Sequence, residues 1–292
     1  MKNNNTKILK IGLVQSKVSE NLKLNLNKTL KMVEKAAKSG TEIICLQELY
    51  KTPYFPRERG VNIEKYLETI PGESTEAFKK ISKKYHCSII LPIYEKAKNG
   101  KLYNTVVVLN EKGEIQPSYR KIHIPHDPGF YEKDYFAEGD NGYRLYKHKN
   151  ISYAVLICFD QWFPEAARET KLKGAEMIFY PTAIGNIVGN KPLDGDWHDA
   201  WETVMRGHAI SNSLPVIAVN RTGVEGNLDF WGQSFVTDAF GKVIKRASSN
   251  KEEIVIVKLD LAMNDYIGDD WGFMRNRRPD TYKSIINKIN NK

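Results

Sequence analysis

The chain has 292 residues, 41% hydrophobic and 27% charged, which excludes a disordered, collagen-like or low-complexity protein. Its 44 Lys and Arg against 35 Asp and Glu leave a net charge of +9, but the lysines are scattered over helical faces such as 23–38 and 79–84. The densest basic stretch, Arg275, Arg277 and Arg278, is too short for a nucleic-acid tail, and no run of about 18 apolar residues is present to span a membrane.

The polar first residues run straight into an alternating strand pattern at 7–15, with no apolar secretory region, so a cytoplasmic location is expected. Leu22, Leu26, Leu30, Val33 and Ala37 recur at helical spacing and predict a helix over 20–38, stopped at Gly40. An apolar strand at 42–48 leads to a Pro- and aromatic-rich loop at 51–60. A helix is expected at 73–86 and strands at 88–94 and 104–110, with Glu111–Gly113 as a hairpin turn into a strand at 114–118.

Residues 119–142 are irregular and rich in His, Pro, Gly and aromatics. Strands at 143–147 and 151–157 precede a helix opened by Pro164. Apolar 175–181, a loop to about 195, a helix over 197–212 and a strand at 215–220 continue the alternation. Strands near 232–237, 242–247 and 253–259 and a helix over 280–290 complete it. No repeat or linker divides the chain, so one domain over 1–292 is expected, with a C-terminal arm from about 260. Interspersed strands and helices indicate the α/β class with a mixed sheet.

Cys45, Cys87 and Cys158 are an odd number without Cys-x-x-Cys spacing, which argues against a disulfide framework or zinc ribbon. Cys45 and Cys87 sit in apolar runs, as packing residues do. Cys158 instead ends a strand, before FDQWFPEAAR, and Glu48 likewise ends the strand IICLQE. Ligands gather at the carboxyl ends of strands in α/β sheets, and a sharp strand-to-helix turn exposes a nucleophile. A thiol with an ordinary pKa near 8.5 needs a base or a cation beside it. Glu48 offers the first and Lys121, in YRKIHIP, the second; Glu132 lies close by in GFYEKDYF.

The segments LQELYKTPYFP (46–56), YRKIHIPHDPGFYEKDYFAEGD (119–140) and CFDQWFPEAARETKLKGAEMIFYPTAIG (158–185) resemble the nitrilase, or carbon–nitrogen hydrolase, superfamily. RGHAISNSLPVIAVNRTG (206–223) and GQSFVTDAFGKVI (232–244) extend that resemblance over nearly the whole chain. It implies an α-β-β-α sandwich with mixed sheets flanked by helices. It also implies Glu48 as general base, Lys121 as oxyanion stabiliser, Cys158 as nucleophile and Glu132 as a supporting carboxylate. The N–H of Phe159 becomes an expected oxyanion donor, no cofactor or metal is called for, and a homo-oligomer is expected.

Within the superfamily the motifs resemble the branch that hydrolyses N-carbamoylputrescine. The alternative is the same chemistry on N-carbamoyl-β-alanine, another N-carbamoyl amino acid or a small ω-amide. A cationic small-molecule substrate asks for carboxylates and aromatic faces. Candidates are Tyr54, Phe130, Trp162, Asp194, Asp196, Trp197, Asp199 and Asp269–Trp271, with Asp196 also placed to cap a helix. A carboxylate-bearing substrate would instead need Arg57, Arg59, Arg206 or Arg221. Asp160, Glu165 and Arg168 are expected to form ion pairs beneath the nucleophile turn. His123 and His126, beside Asp127, are read as hydrogen-bonding residues of the active-site loop rather than metal ligands, because Pro125 breaks any helix between them.

Overall fold

The central strands are near-continuous apolar runs because both of their faces are covered, one by a second sheet and the other by helices. The computed structural model describes residues 7–191 and 193–287. In chain order the elements are β1 (Ile8–Gln15), α1 (Leu22–Lys38), β2 (Ile43–Leu46), α2 (Glu73–Tyr85), β3 (Ser88–Lys96), β4 (Leu102–Leu109) and β5 (Tyr119–Arg120). There follow β6 (Leu145–His148), β7 (Ile151–Val155), α3 (Pro164–Leu172), β8 (Met177–Pro181), β9 (Gly185–Ile187), α4 (Trp197–Asn212) and β10 (Val216–Val219). The last third holds β11 (Thr222–Glu225), β12 (Leu228–Trp231), β13 (Phe235–Thr237), β14 (Val243–Arg246), β15 (Glu253–Asp260) and α5 (Ala262–Trp271).

One mixed sheet has the order β15-β1-β2-β3-β4-β5, the other β14-β13-β10-β8-β7-β6, and a small third sheet has β11-β12-β9. Ile11, Leu13, Cys45, Ile90 and Val106 of the first sheet share one core with Val155, Phe179 and Ile217 of the second. Leu26, Val33 and Ala36 of α1 and Phe78 of α2 cover the outer face of the first sheet. Ala166 and Ala167 of α3 and Trp201, Met205 and Ala209 of α4 pack with the second sheet. The layers are therefore α-β-β-α. Local signals set the helix starts: Asn21 caps α1, accepting from the Leu24 N–H at 3.0 Å, and Pro164 opens α3.

Four expectations need correction. Residues 114–118 form no strand, only a single bridge from Ile115 to Leu109. The loop before α4 contains the edge strand β9, and β11–β12 form a hairpin about Gly226 that alternation did not reveal. The strand expected at 232–237 is β13, at 235–237, while Trp231 belongs to the small sheet. At the C-terminus the helix lies at 262–271, and 279–281 and 283–286 form short 3-10 turns; the rest of the expected 280–290 helix lies outside the described residues. Ile285 and Ile286 are 58% and 87% exposed, so this segment has no buried apolar stripe to support a helix.

Candidate active site

Glu48 and Cys158 each follow a strand, one from each sheet, where the chain leaves the core. The turns are tight: Leu49 takes φ 48° and Cys158 φ 41°, left-handed values that cost energy in residues other than glycine. Strain held at a strand-to-helix turn pushes the side chain out of the layer. Lys121 comes from the first sheet, immediately after β5, with its N–H bonded to the Asn104 carbonyl at 2.9 Å. The chain returns beside it at Gly139, whose N–H donates to the Lys121 carbonyl at 2.8 Å. Only glycine fits there, since a Cβ would run into the carbonyl oxygen of Arg120.

Glu48, Lys121 and Glu132 are completely buried, and Cys158 is 7% exposed. The Lys121 ammonium lies 3.0 Å from Glu48 Oε1 and 2.6 Å from Glu132 Oε2. Glu132 Oε1 accepts from the Tyr54 hydroxyl at 2.7 Å, and Glu48 Oε1 accepts a second bond, from Asn104 Nδ2, at 2.7 Å. Glu48 Oε2 is buried without a hydrogen-bond partner.

Electrostatics follow from that burial. Desolvation pushes the Cys158 thiol well above its usual range, the Glu48 carboxylate adds to this, and Lys121 opposes it. The resting sulfur is therefore a neutral thiol, whose Sγ makes a weak hydrogen bond to the Ala183 carbonyl at 3.9 Å. Burial pulls the Lys121 ammonium down, but Glu132 and Glu48 outweigh it and hold the pKa above the ordinary lysine range. Glu132 is pushed up to about 7, chiefly by burial, against the attraction of Lys121.

Cys158 opens on a cavity of about 620 Å³. Phe130, Phe159, Trp162 and Trp197 supply aromatic wall, and Asp127, Glu132 and Asp194 supply carboxylates. Among the described residues no lysine or arginine lines it. Asp194 is held by Trp197, whose indole Nε1 donates to both carboxylate oxygens at 3.1 Å.

Other sequence candidates fall elsewhere. Tyr54 is buried behind the cavity, supporting Glu132. Asp196 caps α4, accepting from the N–H groups of His198 and Asp199 at 2.9 and 3.2 Å, and neither Asp196 nor Asp199 is on the wall. Asp269–Trp271 lies in α5, with Trp271 packed on Phe240 and Phe273. The expected ion pairs beneath the turn are not those of Asp160 with Glu165 and Arg168. Asp160 instead accepts from Ile157 N at 2.9 Å, Tyr119 Oη at 2.6 Å, and His123 N and Nδ1 at 3.0 and 2.7 Å. Glu165 and Arg168 line a separate surface cavity, because α3 turns their side chains outward. His123 also stacks on Phe163 at 3.7 Å, so it ties the lysine loop to the cysteine turn.

None of the four candidate arginines lines the cavity. Arg57 pairs with Glu58 at 3.1 Å, Arg59 with Asp134 at 2.7 Å, and Arg206 donates to the Gly241 carbonyl at 2.9 Å. Arg221 is fully buried behind the site, paired with Glu225 at 2.7 Å and donating to the carbonyls of Glu48 and Leu49 at 2.8 and 3.0 Å. Asn104 was missed by sequence reasoning. Its signal was a buried amide inside the apolar strand LYNTVVVL.

Residues 10–265 match the model of the carbon-nitrogen hydrolase family. The chain is 36% identical over 271 residues to N-carbamoylputrescine amidase of Oryza sativa subsp. japonica, covering 90% of this chain and 89% of that protein. It is 37% identical to a citrullinase of Francisella tularensis subsp. tularensis, covering 96% and 99% of the two chains. The crystal structure of a carbon-nitrogen hydrolase from Helicobacter pylori G27 superposes with a TM-score of 0.90 at 36% identity, over 96% of this chain and 99% of that one. With this fold, these relatives and the family match over most of its length, the chain belongs to the carbon–nitrogen hydrolase family of the nitrilase superfamily.

Proposed function

We propose that the protein hydrolyses N-carbamoylputrescine to putrescine, carbon dioxide and ammonia, with Cys158 as nucleophile, Glu48 as general base and Lys121 as oxyanion stabiliser. Glu48 Oε2 takes the thiol proton and Sγ bonds to the ureido carbon. The oxygen of that carbon becomes an anion facing the Lys121 ammonium and the Phe159 N–H. Collapse breaks one carbon–nitrogen bond, the leaving nitrogen takes the proton from Glu48, and a carbamoyl-type thioester remains. Water gives a proton to Glu48, bonds to the same carbon and displaces the sulfur, which regains the proton. The carbamic acid so released then breaks its remaining carbon–nitrogen bond, its hydroxyl proton passing to the nitrogen, to give carbon dioxide and the second nitrogen product.

The observation that carries the substrate reading is the sign of the cavity. Asp127 and Asp194 stand on its wall with aromatic faces, no arginine or lysine is among the described lining residues, and the Lys121 charge behind it is already countered by Glu48 and Glu132. A terminal ammonium is stabilised by such a lining, whereas a terminal carboxylate would be repelled by it. Similarity to plant N-carbamoylputrescine amidases at 34–36% identity supports the same substrate.

Citrulline is the rival, since the citrullinase is equally similar. It carries the same ureido group but adds a carboxylate, for which this wall offers no cation. The test is ammonia release by purified protein from N-carbamoylputrescine, citrulline and N-carbamoyl-β-alanine side by side. Preference for the first supports the proposal; preference for either carboxylate-bearing compound overturns the substrate while leaving the chemistry.

A further inference from the structure

We propose that Asn104 is a positioning residue that fixes which carboxylate oxygen of Glu48 is left to move the proton. The inference rests on the reading of Glu48 as base and Cys158 as nucleophile.

Asn104 lies inside β4 (LYNTVVVL), completely buried, between Tyr103 and Thr105 and ahead of three valines. Its main-chain carbonyl accepts from Lys121 N at 2.9 Å, and its side-chain Nδ2 donates to Glu48 Oε1 at 2.7 Å. One residue thus sets the register of the lysine and the rotation of the glutamate. The amide oxygen Oδ1 is buried with no partner, so the side chain makes one hydrogen bond, that to Glu48. An unpaired buried oxygen is unfavourable, and an apolar residue would avoid it. What the amide supplies in return is direction.

Glu48 Oε1 receives both of the carboxylate's donors, Asn104 at 2.7 Å and Lys121 at 3.0 Å, while Oε2 receives none. The terminal torsion of a glutamate is broad and roughly two-fold, and a lysine ammonium is a point charge that holds either oxygen equally well. A planar amide is directional and breaks that symmetry. With Asn104 in place Oε1 is saturated and Oε2 keeps its lone pairs for the thiol or for water. Without it, Lys121 can draw both oxygens and the acceptor is no longer aimed.

The experiment is a double-mutant cycle on the whole protein with N104L, E48Q and N104L/E48Q, and N104D, close in shape, as a second variant should N104L not fold. Circular dichroism and thermal melting check folding. Two rates are read: alkylation of Cys158 by iodoacetamide, followed by peptide mass, and ammonia release from N-carbamoylputrescine. Expected is a loss of about 10-fold or more in both rates for N104L, with KM unchanged. In the E48Q background the same substitution should change alkylation by less than about twofold, because its effect passes through Glu48. An undiminished loss in the E48Q background, or no loss in either background, overturns the inference. Wild-type protein that leaves N-carbamoylputrescine intact but shows the coupling in alkylation overturns the substrate reading alone.

Discussion

The guanidinium of Arg221 donates to the main-chain carbonyl of Glu48 at 2.8 Å, although the two residues belong to opposite sheets of the sandwich. Arg221 follows β10, in the sheet that presents Cys158, and Glu48 follows β2 in the other. The same arginine pairs with Glu225, whose other oxygen accepts from Tyr54 N at 2.7 Å, and Tyr54 in turn supports Glu132. A buried chain of bonds therefore runs from one sheet to the backbone of Glu48 and the carboxylate of Glu132, the two residues that flank Lys121.

Removing one partner of that buried pair should be costly. Arg221→Met leaves Glu225 charged and unpaired, and a loss of about 3–5 kcal/mol in urea unfolding is expected. The double substitution Arg221→Met with Glu225→Gln should recover part of that loss. Equal stability of the single and double variants would show that the ion pair is not what Arg221 contributes.

Cys158→Ala should abolish ammonia release while leaving the melting temperature near that of wild type, since it removes a single small sulfur whose hydrogen bond, to the Ala183 carbonyl at 3.9 Å, is weak. Lys121→Met should lower kcat by about 100-fold or more, the loss typical of removing an oxyanion donor. Substantial turnover by the alanine variant would remove Cys158 from the mechanism.

Asp194→Asn tests the reading of charge. It should lower kcat/KM for N-carbamoylputrescine by about 10-fold, roughly 1.4 kcal/mol of lost ammonium binding, and leave a neutral ω-amide unaffected. A uniform fall across both substrates would place Asp194 in the architecture of the loop instead.

Glu132 gives a pH dependence of definite sign. Its folded pKa, about 7, lies above the ordinary 4.5, so the stability associated with its protonated form is complete below 4.5. That stability is lost as pH rises through about 7. Glu132→Gln, which cannot ionise, should therefore gain stability relative to wild type between pH 5 and pH 8. The gain is on the order of 2–3 kcal/mol, measured by urea unfolding at both values. A constant difference across that range would show that Glu132 does not titrate there.

Strand ends were legible in the sequence because apolar runs such as IICLQE and SYAVLIC stop abruptly at polar residues, and those stops hold Glu48 and Cys158. The resemblance then assigned the same two residues their roles. Helix starts were legible where a cap or proline marked them, as at Pro164 and Asp196. The hairpin β11–β12 was not, because its four-residue strands are too short for alternation to register. Partners across the site were invisible for a different reason. Asn104 and Glu48 are 56 residues apart, and Arg221 and Glu48 are 173 apart, so only the docking of strands brings them together. The partners of Asp160 and Arg221 were out of sight likewise: Asp160 pairs with His123 rather than Arg168 beneath the turn, and Arg221, a candidate for a carboxylate-bearing substrate, turns inward to buried groups.

Because Glu48 and Lys121 hang from one sheet and Cys158 from the other, neither sheet alone carries a reactive centre. During synthesis Glu48 and Lys121 emerge first, and Cys158 joins them only when the later strands settle against the earlier ones. On the proposed mechanism, closing the sandwich is therefore also the act that assembles the catalytic set.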